Sequence, residues 1–219
     1  MDEDAVTALF AALQAANPHP RSDLAYRTPF ELLVAVVLSA QATDQGVNKA
    51  TPALFAAAPN ARAMVALGED GIRAYIRSIG LFNNKARNLF LSSRQLVERH
   101  GGAVPADREA LEALPGVGRK SANVVLNVAF GQPTLAVDTH VFRVANRTGL
   151  APGRTPLAVE KRLLETVPEE FIHHAHHWLI LHGRYICKAR RPLCAACPIR
   201  TWCATGAEID AALPEQRES

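Results

Sequence analysis

Hydrophobic residues recur with a helical period along most of this chain. The apolar side chains of residues 6–13 fall at positions i, i+3, i+4 and i+7, and those of residues 72–79 repeat this spacing. Residues 32–38 are apolar without interruption, which is typical of a helix that is buried on every side. No segment shows the alternation of a half-exposed strand, so the pattern predicts an all-α protein.

Residues that commonly begin or end helices lie at the boundaries of these predicted helical segments. The segment Thr28–Glu31 reads Thr-Pro-Phe-Glu, a capping box with proline at the first helical position. Either Thr43 or Asp44 caps the next helix, and Gly80 and Gly101 are expected to end helices. Further helix starts are predicted at Asp107, at Thr155-Pro156 and at Pro168-Glu169. Connected by short loops, these segments amount to about ten helices.

Composition narrows the class of protein. The chain has 219 residues, of which 48% are hydrophobic, and this suits a packed globular protein rather than a disordered chain. Its first four residues are acidic or neutral and no long apolar run follows them, so we expect neither a signal peptide nor a membrane-spanning helix. These features predict a cytoplasmic protein.

The net charge of +3 is small, but the basic residues are unevenly distributed. Residues 71–97 and 171–207 each contain five Lys or Arg and no Asp or Glu, and residues 113–159 contain five against one. If the three segments line one groove, they form a positive surface suited to nucleic acid. The alternative is that each segment is a solvated helix face.

A glycine-containing turn lies between two helical segments, where Leu114–Lys120 reads Leu-Pro-Gly-Val-Gly-Arg-Lys. Its two glycines allow positive φ and leave backbone N–H groups exposed at the start of the next helix. Main-chain donors and the helix dipole bind a phosphate without reading base sequence. The turn therefore predicts a contact with a phosphate, although a Gly-x-Gly turn also serves as a simple connector.

Lys120 begins the helix after this turn, and Asp138 follows eighteen residues later. A free lysine has a pKa of about 10.4, whereas a helix N-terminus, the neighbouring Arg119 and partial desolvation all favour the uncharged, nucleophilic amine. An aspartate facing that amine can accept its proton or stabilise positive charge that develops beside it. The alternative roles are phosphate binding for Lys120 and capping of the helix at Thr139 for Asp138.

All four cysteines lie close together, as Cys187-x6-Cys194-x2-Cys197-x5-Cys203. A cytoplasmic protein of this size does not need disulfides, so the group of thiols predicts a metal site. Four thiolates suit either tetrahedral zinc or a [4Fe–4S] cluster, and zinc sites more often contain two Cys-x-x-Cys pairs, where this chain has one. Few large apolar residues follow Cys187, so bound metal would supply folding energy to this segment.

Together, the hairpin turn, Lys120, Asp138 and the cysteine spacing resemble the helix-hairpin-helix-Gly/Pro-Asp superfamily of DNA glycosylases, and within it the endonuclease III family. The resemblance extends over residues 24–203 and matches every interval of the [4Fe–4S] cysteine loop of that family. It therefore implies one [4Fe–4S] cluster held by the four cysteines.

The fold implied by the resemblance is all-α, with two helical lobes and a DNA groove between them. A six-helix barrel with the helix-hairpin-helix would comprise residues 23–133. Residues 1–22 and 134–219 would form a discontinuous iron–sulfur cluster domain, so that Lys120 and Asp138 come from different lobes.

The function implied is that of a monomeric base excision repair enzyme, acting on damaged duplex DNA at the nucleoid. It would remove oxidised pyrimidines as a DNA glycosylase and cut the strand as an abasic-site lyase, through a Lys120 Schiff base and β-elimination, with Asp138 assisting. Two alternatives remain open at this point. One is a glycosylase of the same fold for a deaminated or alkylated base, and the other is a helix-hairpin-helix module that binds DNA without reacting.

The resemblance also implies which side chains contact DNA. Gln41 and Leu81 would fill the gap left by an extruded base. The remaining DNA-contacting residues would be Leu114, Gly116, Gly118, Arg119, His140, Arg143, Lys188, Arg190 and Arg191, with Ser39 and Asp44 lining the pocket. The histidine-rich stretch at residues 173–177 lacks the His-Glu-x-x-His pattern, so no second metal site is expected there.

Overall fold

The computed structural model describes residues 1–206. This part of the chain contains ten α-helices, two short 3₁₀ helices and no β-strand, which confirms the all-α prediction. None of its helices is long and apolar enough to cross a membrane. The α-helices are α1 (Glu3–Ala16), α2 (Pro29–Ser39), α3 (Asp44–Ala57), α4 (Ala61–Tyr75), α5 (Phe82–His100), α6 (Arg108–Glu112), α7 (Arg119–Phe130), α8 (Thr139–Thr148), α9 (Pro156–Thr166) and α10 (Glu169–Tyr185), and the 3₁₀ helices are Cys194–Ala196 and Arg200–Trp202.

The chain divides into two compact units, each with its own hydrophobic core. The contiguous unit is Ser22–Gln132 and contains the six helices α2 to α7. The discontinuous unit combines Met1–Arg21 with the chain from Pro133 onward, and among its described residues are α1, α8, α9 and α10.

Helix α2 is the most buried element of the contiguous unit, since every residue from Phe30 to Leu38 is buried. The Glu31 N–H donates to the Thr28 hydroxyl at 3.1 Å, and the Arg27 N–H donates to the Glu31 carboxylate at 2.7 Å. This confirms the capping box predicted from the sequence, with its carboxylate bonded one residue farther back than usual. The helix packs against α3, α5 and α7.

Side-chain caps confirm several predicted helix starts. Thr43, rather than Asp44, caps α3, because its hydroxyl accepts a 3.1 Å hydrogen bond from a backbone N–H of the first turn. Asp107 and Thr155 cap α6 and α9 in the same way. Short polar side chains thus satisfy N–H groups that have no partner within the helix.

The prediction that Gly80 ends a helix is wrong. Helix α4 ends at Tyr75, and the chain then turns through a 2.9 Å hydrogen bond from the Ile79 N–H to the Ile76 carbonyl oxygen. The turn buries Ile76 and Ile79 as a continued helix would, which explains why the apolar spacing runs past the helix end. Gly101, in contrast, ends α5 with a φ of 63°, as predicted.

The core of the discontinuous unit includes the packing of α1 on α10. The ring centroid of the fully buried Phe10 lies 5.7 Å from that of Phe171 and 6.3 Å from that of Trp178. The Trp178 indole N–H donates to the Asn17 carbonyl oxygen at 2.8 Å, which also fixes the end of α1.

Helices α8 and α10 approach closely at Gly183. A Cβ atom on this residue would lie 2.8 Å from the His140 Cβ and 3.1 Å from the His140 carbonyl oxygen, so no larger residue fits without a shift. The close approach sets the position of the first turn of α8, which follows Asp138.

Replacing Phe10 with alanine is expected to lower the free energy of unfolding by about 3–5 kcal/mol, because it leaves a cavity beside two aromatic rings. Urea denaturation followed by circular dichroism measures the change. Leu157→Ala is the matched control, since its side chain is 44% exposed, and its effect should stay within about 0.5 kcal/mol. Equal losses in the two variants would contradict this account of the core.

Candidate functional site

The glycine turn between α6 and α7 is held in place by its buried side chains and by a hydrogen bond to its main chain. Leu114 and Val117 are buried, and the Ser92 hydroxyl donates to the Pro115 carbonyl oxygen at 2.6 Å. The resemblance places Leu114 at the DNA, but its N–H donates to the Leu111 carbonyl oxygen at 3.1 Å and its carbonyl oxygen accepts from the Val117 N–H at 3.0 Å. Gly116 is exposed between these anchors, so the turn presents backbone to solvent above an apolar base.

The two glycines of the turn have different roles. Gly116 has a φ of 82°, and a Cβ there would lie 2.9 Å from the Asn88 side-chain nitrogen, so both its conformation and its surroundings require glycine. Gly118 has an ordinary extended conformation with a φ of −101°, so of the two glycines only Gly116 uses the positive φ that glycine allows. The reason is that Gly118 is the N-cap of α7, a position that favours extended backbone.

Lys120 is the second residue of α7 and is exposed. Because the N-cap is glycine, no side chain caps the start of this helix. The positive end of the helix dipole therefore lies at the same place as the lysine. Arg119, half-buried beside it, adds a second positive charge.

Asp138 is the N-cap of α8 and is half-buried. One carboxylate oxygen, Oδ1, accepts hydrogen bonds of 2.8 Å from the N–H groups of both His140 and Val141. The capping role considered for Asp138 is therefore present. It fixes the orientation of the carboxylate and uses one of its two oxygens.

Arg143 is engaged by main-chain groups. Its guanidinium donates to the Cys187 carbonyl oxygen at 2.9 Å and to the Gly183 carbonyl oxygen at 2.7 Å, and lies 3.1 Å from the His140 Nδ1. The arginine thus joins α8 to the end of α10 and to the first cysteine. His140 itself is half-buried at the start of α8.

Gln41 and Leu81 lie in two loops that the structure brings together. A Cβ on Gly80, next to Leu81, would be 3.7 Å from the Gln41 carbonyl oxygen. Gln41 has a φ of 54° and Leu81 a φ of 59°, and both are exposed, Leu81 by 56%. Left-handed backbone costs a residue with a side chain roughly 1–2 kcal/mol, and such strain is concentrated at functional sites.

The two predicted pocket residues flank the Gln41 loop. The Ser39 hydroxyl donates to the Val36 carbonyl oxygen at 2.9 Å, so it satisfies a carbonyl at the end of α2. Asp44 is the first residue of α3 and, like Ser39, is half-buried.

The four cysteines line one cavity of about 160 Å³ between the end of α8, the end of α10 and the two 3₁₀ helices. Burial, together with the charge of the neighbouring cysteines, raises the pKa of Cys197, and burial raises that of Cys203. A bound cation would offset this effect and keep the thiolates of Cys197 and Cys203 ionised. A single zinc ion held by four thiolates at about 2.3 Å needs less space than this cavity provides. The volume of the cavity therefore suits a polynuclear iron–sulfur cluster better.

Two residues that the sequence analysis missed support this cavity. The Arg147 guanidinium donates to the carbonyl oxygens of Lys188 at 2.7 Å and Ala189 at 3.0 Å, and lies 3.6 Å from the Cys187 Sγ. Burial lowers the pKa of His182 to about 4, so the ring is uncharged at neutral pH, and its Nε2 lies 3.6 Å from a cysteine sulfur. In the sequence, Arg147 is recognisable only as one of the five basic residues between positions 113 and 159.

The loop between the first two cysteines is exposed at its three cations, Lys188, Arg190 and Arg191. Arg191 has a φ of 53° and is, with Gln41 and Leu81, one of three non-glycine residues in the described part of the chain with positive φ. All three were predicted from the resemblance to contact DNA.

The histidine-rich stretch on α10 is used for packing and hydrogen bonding. His176 and His177 are buried, and the His176 Nδ1 lies 2.8 Å from the Ala136 carbonyl oxygen. The ring of His174 packs on Trp178 with centroids 5.5 Å apart.

Comparison with known families gives two matches. Residues 34–169 match the HhH-GPD superfamily base excision DNA repair proteins, and residues 187–203 match the iron-sulfur binding domain of endonuclease III. The second match covers all four cysteines and confirms the prediction of a [4Fe–4S] cluster.

Curated and solved relatives agree with these matches. The chain is 58% identical to endonuclease III of Haemophilus influenzae, over 89% of this chain and 92% of the relative, and 56% identical to endonuclease III of Escherichia coli, over 92% and 96%. A solved structure of a trapped endonuclease III–DNA covalent intermediate matches with a TM-score of 0.88 and 43% identity, covering 96% of this chain and 99% of that one. The chain belongs to the endonuclease III family of the HhH-GPD superfamily of base excision DNA repair proteins.

Proposed function

We propose that this protein removes oxidised pyrimidines from duplex DNA and then cuts the strand at the resulting abasic site. The observation that carries the proposal is an exposed lysine at an uncapped helix start, directly after a glycine turn that presents main-chain donors. A turn of this kind binds the DNA backbone, which brings Lys120 to a sugar. Membership of a base excision repair family supports the same chemistry.

In this proposal the Lys120 amine attacks C1′ of the damaged nucleotide, and the bond from C1′ to the base breaks. The proton that the nitrogen loses is taken up by the departing base, and breakage of the C1′–O4′ bond with protonation of O4′ opens the sugar ring and leaves an iminium ion between Nζ and C1′. The iminium makes the C2′ proton acidic, and its removal expels the 3′ phosphate by β-elimination. Hydrolysis of the Schiff base then releases the lysine.

Asp138 has two roles in this scheme that do not conflict. Its Oδ1 caps α8, so the carboxylate is held in one orientation. The carboxylate as a whole supplies negative charge that stabilises the sugar cation as the base leaves, or takes the proton from the attacking amine.

A base inside a duplex has to be extruded before Lys120 can reach its sugar, at a cost of a few kcal/mol. Gln41 and Leu81 are proposed to fill the space that the base leaves, because both are exposed on adjoining loops. Ser39 and Asp44, at the base of the Gln41 loop, are proposed to line the pocket for the extruded base.

Contacts with phosphates hold the protein on DNA in this proposal. The main chain of the turn at Gly116 and Gly118, with Arg119, binds one part of the backbone. The cations of the cysteine loop, Lys188, Arg190 and Arg191, bind another. His140 and Arg143, which contact each other in the first half of α8, are proposed to contact the DNA as well.

The cluster is proposed to be structural, held by Cys187, Cys194, Cys197 and Cys203. When bound, it supplies metal–thiolate bonds that hold the segment folded. We further propose that the enzyme acts as a monomer and works in the cytoplasm at the nucleoid, where its duplex substrate lies.

Lys120→Gln is expected to abolish borohydride trapping of the protein on DNA that contains thymine glycol, because an amide cannot form a Schiff base. Gel electrophoresis detects the covalent adduct and the nicked strand. Lys161→Gln, on an exposed face of α9, is the matched control and should trap like wild type. A surviving adduct in Lys120→Gln would refute the assignment of the nucleophile.

A panel of duplexes with thymine glycol, uracil or an alkylated base tests the substrate class. Wild-type protein should release the oxidised pyrimidine fastest. Faster release of either other base would point to a different lesion, and binding without nicking on all three would leave only a DNA-binding module.

Cys197→Ala is expected to lower the iron content of the purified protein and to shift its urea midpoint downwards, because cluster binding contributes folding energy. Iron analysis and denaturation measure the two effects. Thr201→Ala, at an exposed position between two of the cysteines, is the control. Full iron content in Cys197→Ala would contradict its role as a ligand.

Arg190→Ala is expected to weaken binding to all duplexes alike, because a phosphate contact does not depend on base sequence. The magnitude of the slope of log K against log [salt] should fall by about one. Fluorescence anisotropy at several salt concentrations gives the slope. Lys161→Ala should leave the slope as in wild type. An unchanged slope in Arg190→Ala would show that this cation does not contact a phosphate.

A further inference from the structure

One lysine of the contiguous unit is buried and has no role in the chemistry described above. Lys85, in the first turn of α5, is 5% exposed, although lysine is almost never buried unless its amine is paired. Its Nζ donates to the Leu38 carbonyl oxygen at 2.9 Å. Burial lowers the pKa of this amine below its usual value.

The acceptor explains why the amine is there. Leu38 lies in the last turn of α2, where carbonyl oxygens have no partner within the helix. Because α2 is buried along its length, that carbonyl needs a donor from elsewhere in the protein. A lysine is well suited, since a cationic donor is favourable at a helix C-terminus.

The main chain of Lys85 is bonded to the second loop. Its N–H donates to the Leu81 carbonyl oxygen at 3.1 Å, which begins α5 directly after the left-handed Leu81. Helix α5 has no side-chain cap at this start. Lys85 is therefore bonded to Leu81 through its backbone and to Leu38, three residues before Gln41, through its side chain.

Both loops hold a non-glycine residue in left-handed backbone, a conformation that persists only where the surroundings enforce it. We propose that Lys85 is a positioning residue that holds the Gln41 and Leu81 loops in one fixed arrangement for insertion into duplex DNA. The proposal rests on the function proposed above, because it assigns these two loops to the opening of the duplex.

The test compares one substrate that has to be opened with one that does not. Lys85→Met keeps the length and packing of the side chain but removes the donor to the Leu38 oxygen. Single-turnover excision of thymine glycol from duplex DNA is expected to fall by roughly tenfold or more, since base extrusion loses its support. Cleavage of an abasic site in single-stranded DNA should keep the wild-type rate, because no base pair is opened.

Two further variants separate positioning from general damage to the fold. Lys85→Gln, whose uncharged amide ends one bond short of the lysine amine, should show the same selective loss, and it carries the test if Lys85→Met does not fold. Combined with Leu81→Ala, Lys85→Met should cost less than it does alone, because both act on one step.

Each outcome is decisive. Equal loss on the two substrates, no loss on either, or full additivity with Leu81→Ala would overturn the role of Lys85. A wild-type protein that forms no borohydride adduct would instead overturn the proposed function itself. Lys161→Met, on an exposed face of α9, is the control and should match wild type on both substrates.

Discussion

The buried N–H groups and carbonyl oxygens near the ends of a helix have to find partners within the protein, because water does not reach them. Helix α2 imposes this constraint on the contiguous unit. Thr28 and its partner glutamate satisfy the start, while Ser39 and Lys85 bond carbonyl oxygens near the end. The loop that leaves this end is thereby fixed closely enough to hold Gln41 in a left-handed conformation. A requirement of the core thus determines the shape of an exposed loop.

The proposed chemistry lies at two other helix ends, which are treated in opposite ways. Helix α7 begins at Gly118 without a side-chain cap, and the exposed Lys120 follows in its first turn. Helix α8 is capped by Asp138 through a single oxygen. The first arrangement leaves a helix dipole available to an anion such as a phosphate, and the second fixes a carboxylate without using all of its acceptor capacity. Capping and catalysis are compatible for this reason.

Structural features could be predicted from the sequence where the residues that determine them are close together in the chain. Helix class and the caps at Thr28 and Asp138 follow from residues within one or two turns of each other, and consecutive cysteines of the metal site are at most seven positions apart. Long-range bonds to carbonyl oxygens were not predictable, because any residue can supply the acceptor. The pairs of Lys85 with Leu38 and of Arg147 with Lys188 are 47 and 41 residues apart and leave no pattern in the sequence. The prediction of a helix end at Gly80 was wrong for a related reason. The turn after Tyr75 buries Ile76 and Ile79, which are the apolar positions that a continued helix would bury.

The hydrogen bond from Trp178 to Asn17 joins residues 161 positions apart, and it makes the order of synthesis matter. The contiguous unit consists of one uninterrupted segment, so it can form as soon as that segment has left the ribosome. The first helix emerges earlier but finds its aromatic partners only when α10 has been made. The native partners of its apolar face, including those of Phe10, are thus made late, and the unit that carries the cysteines is completed after the contiguous unit.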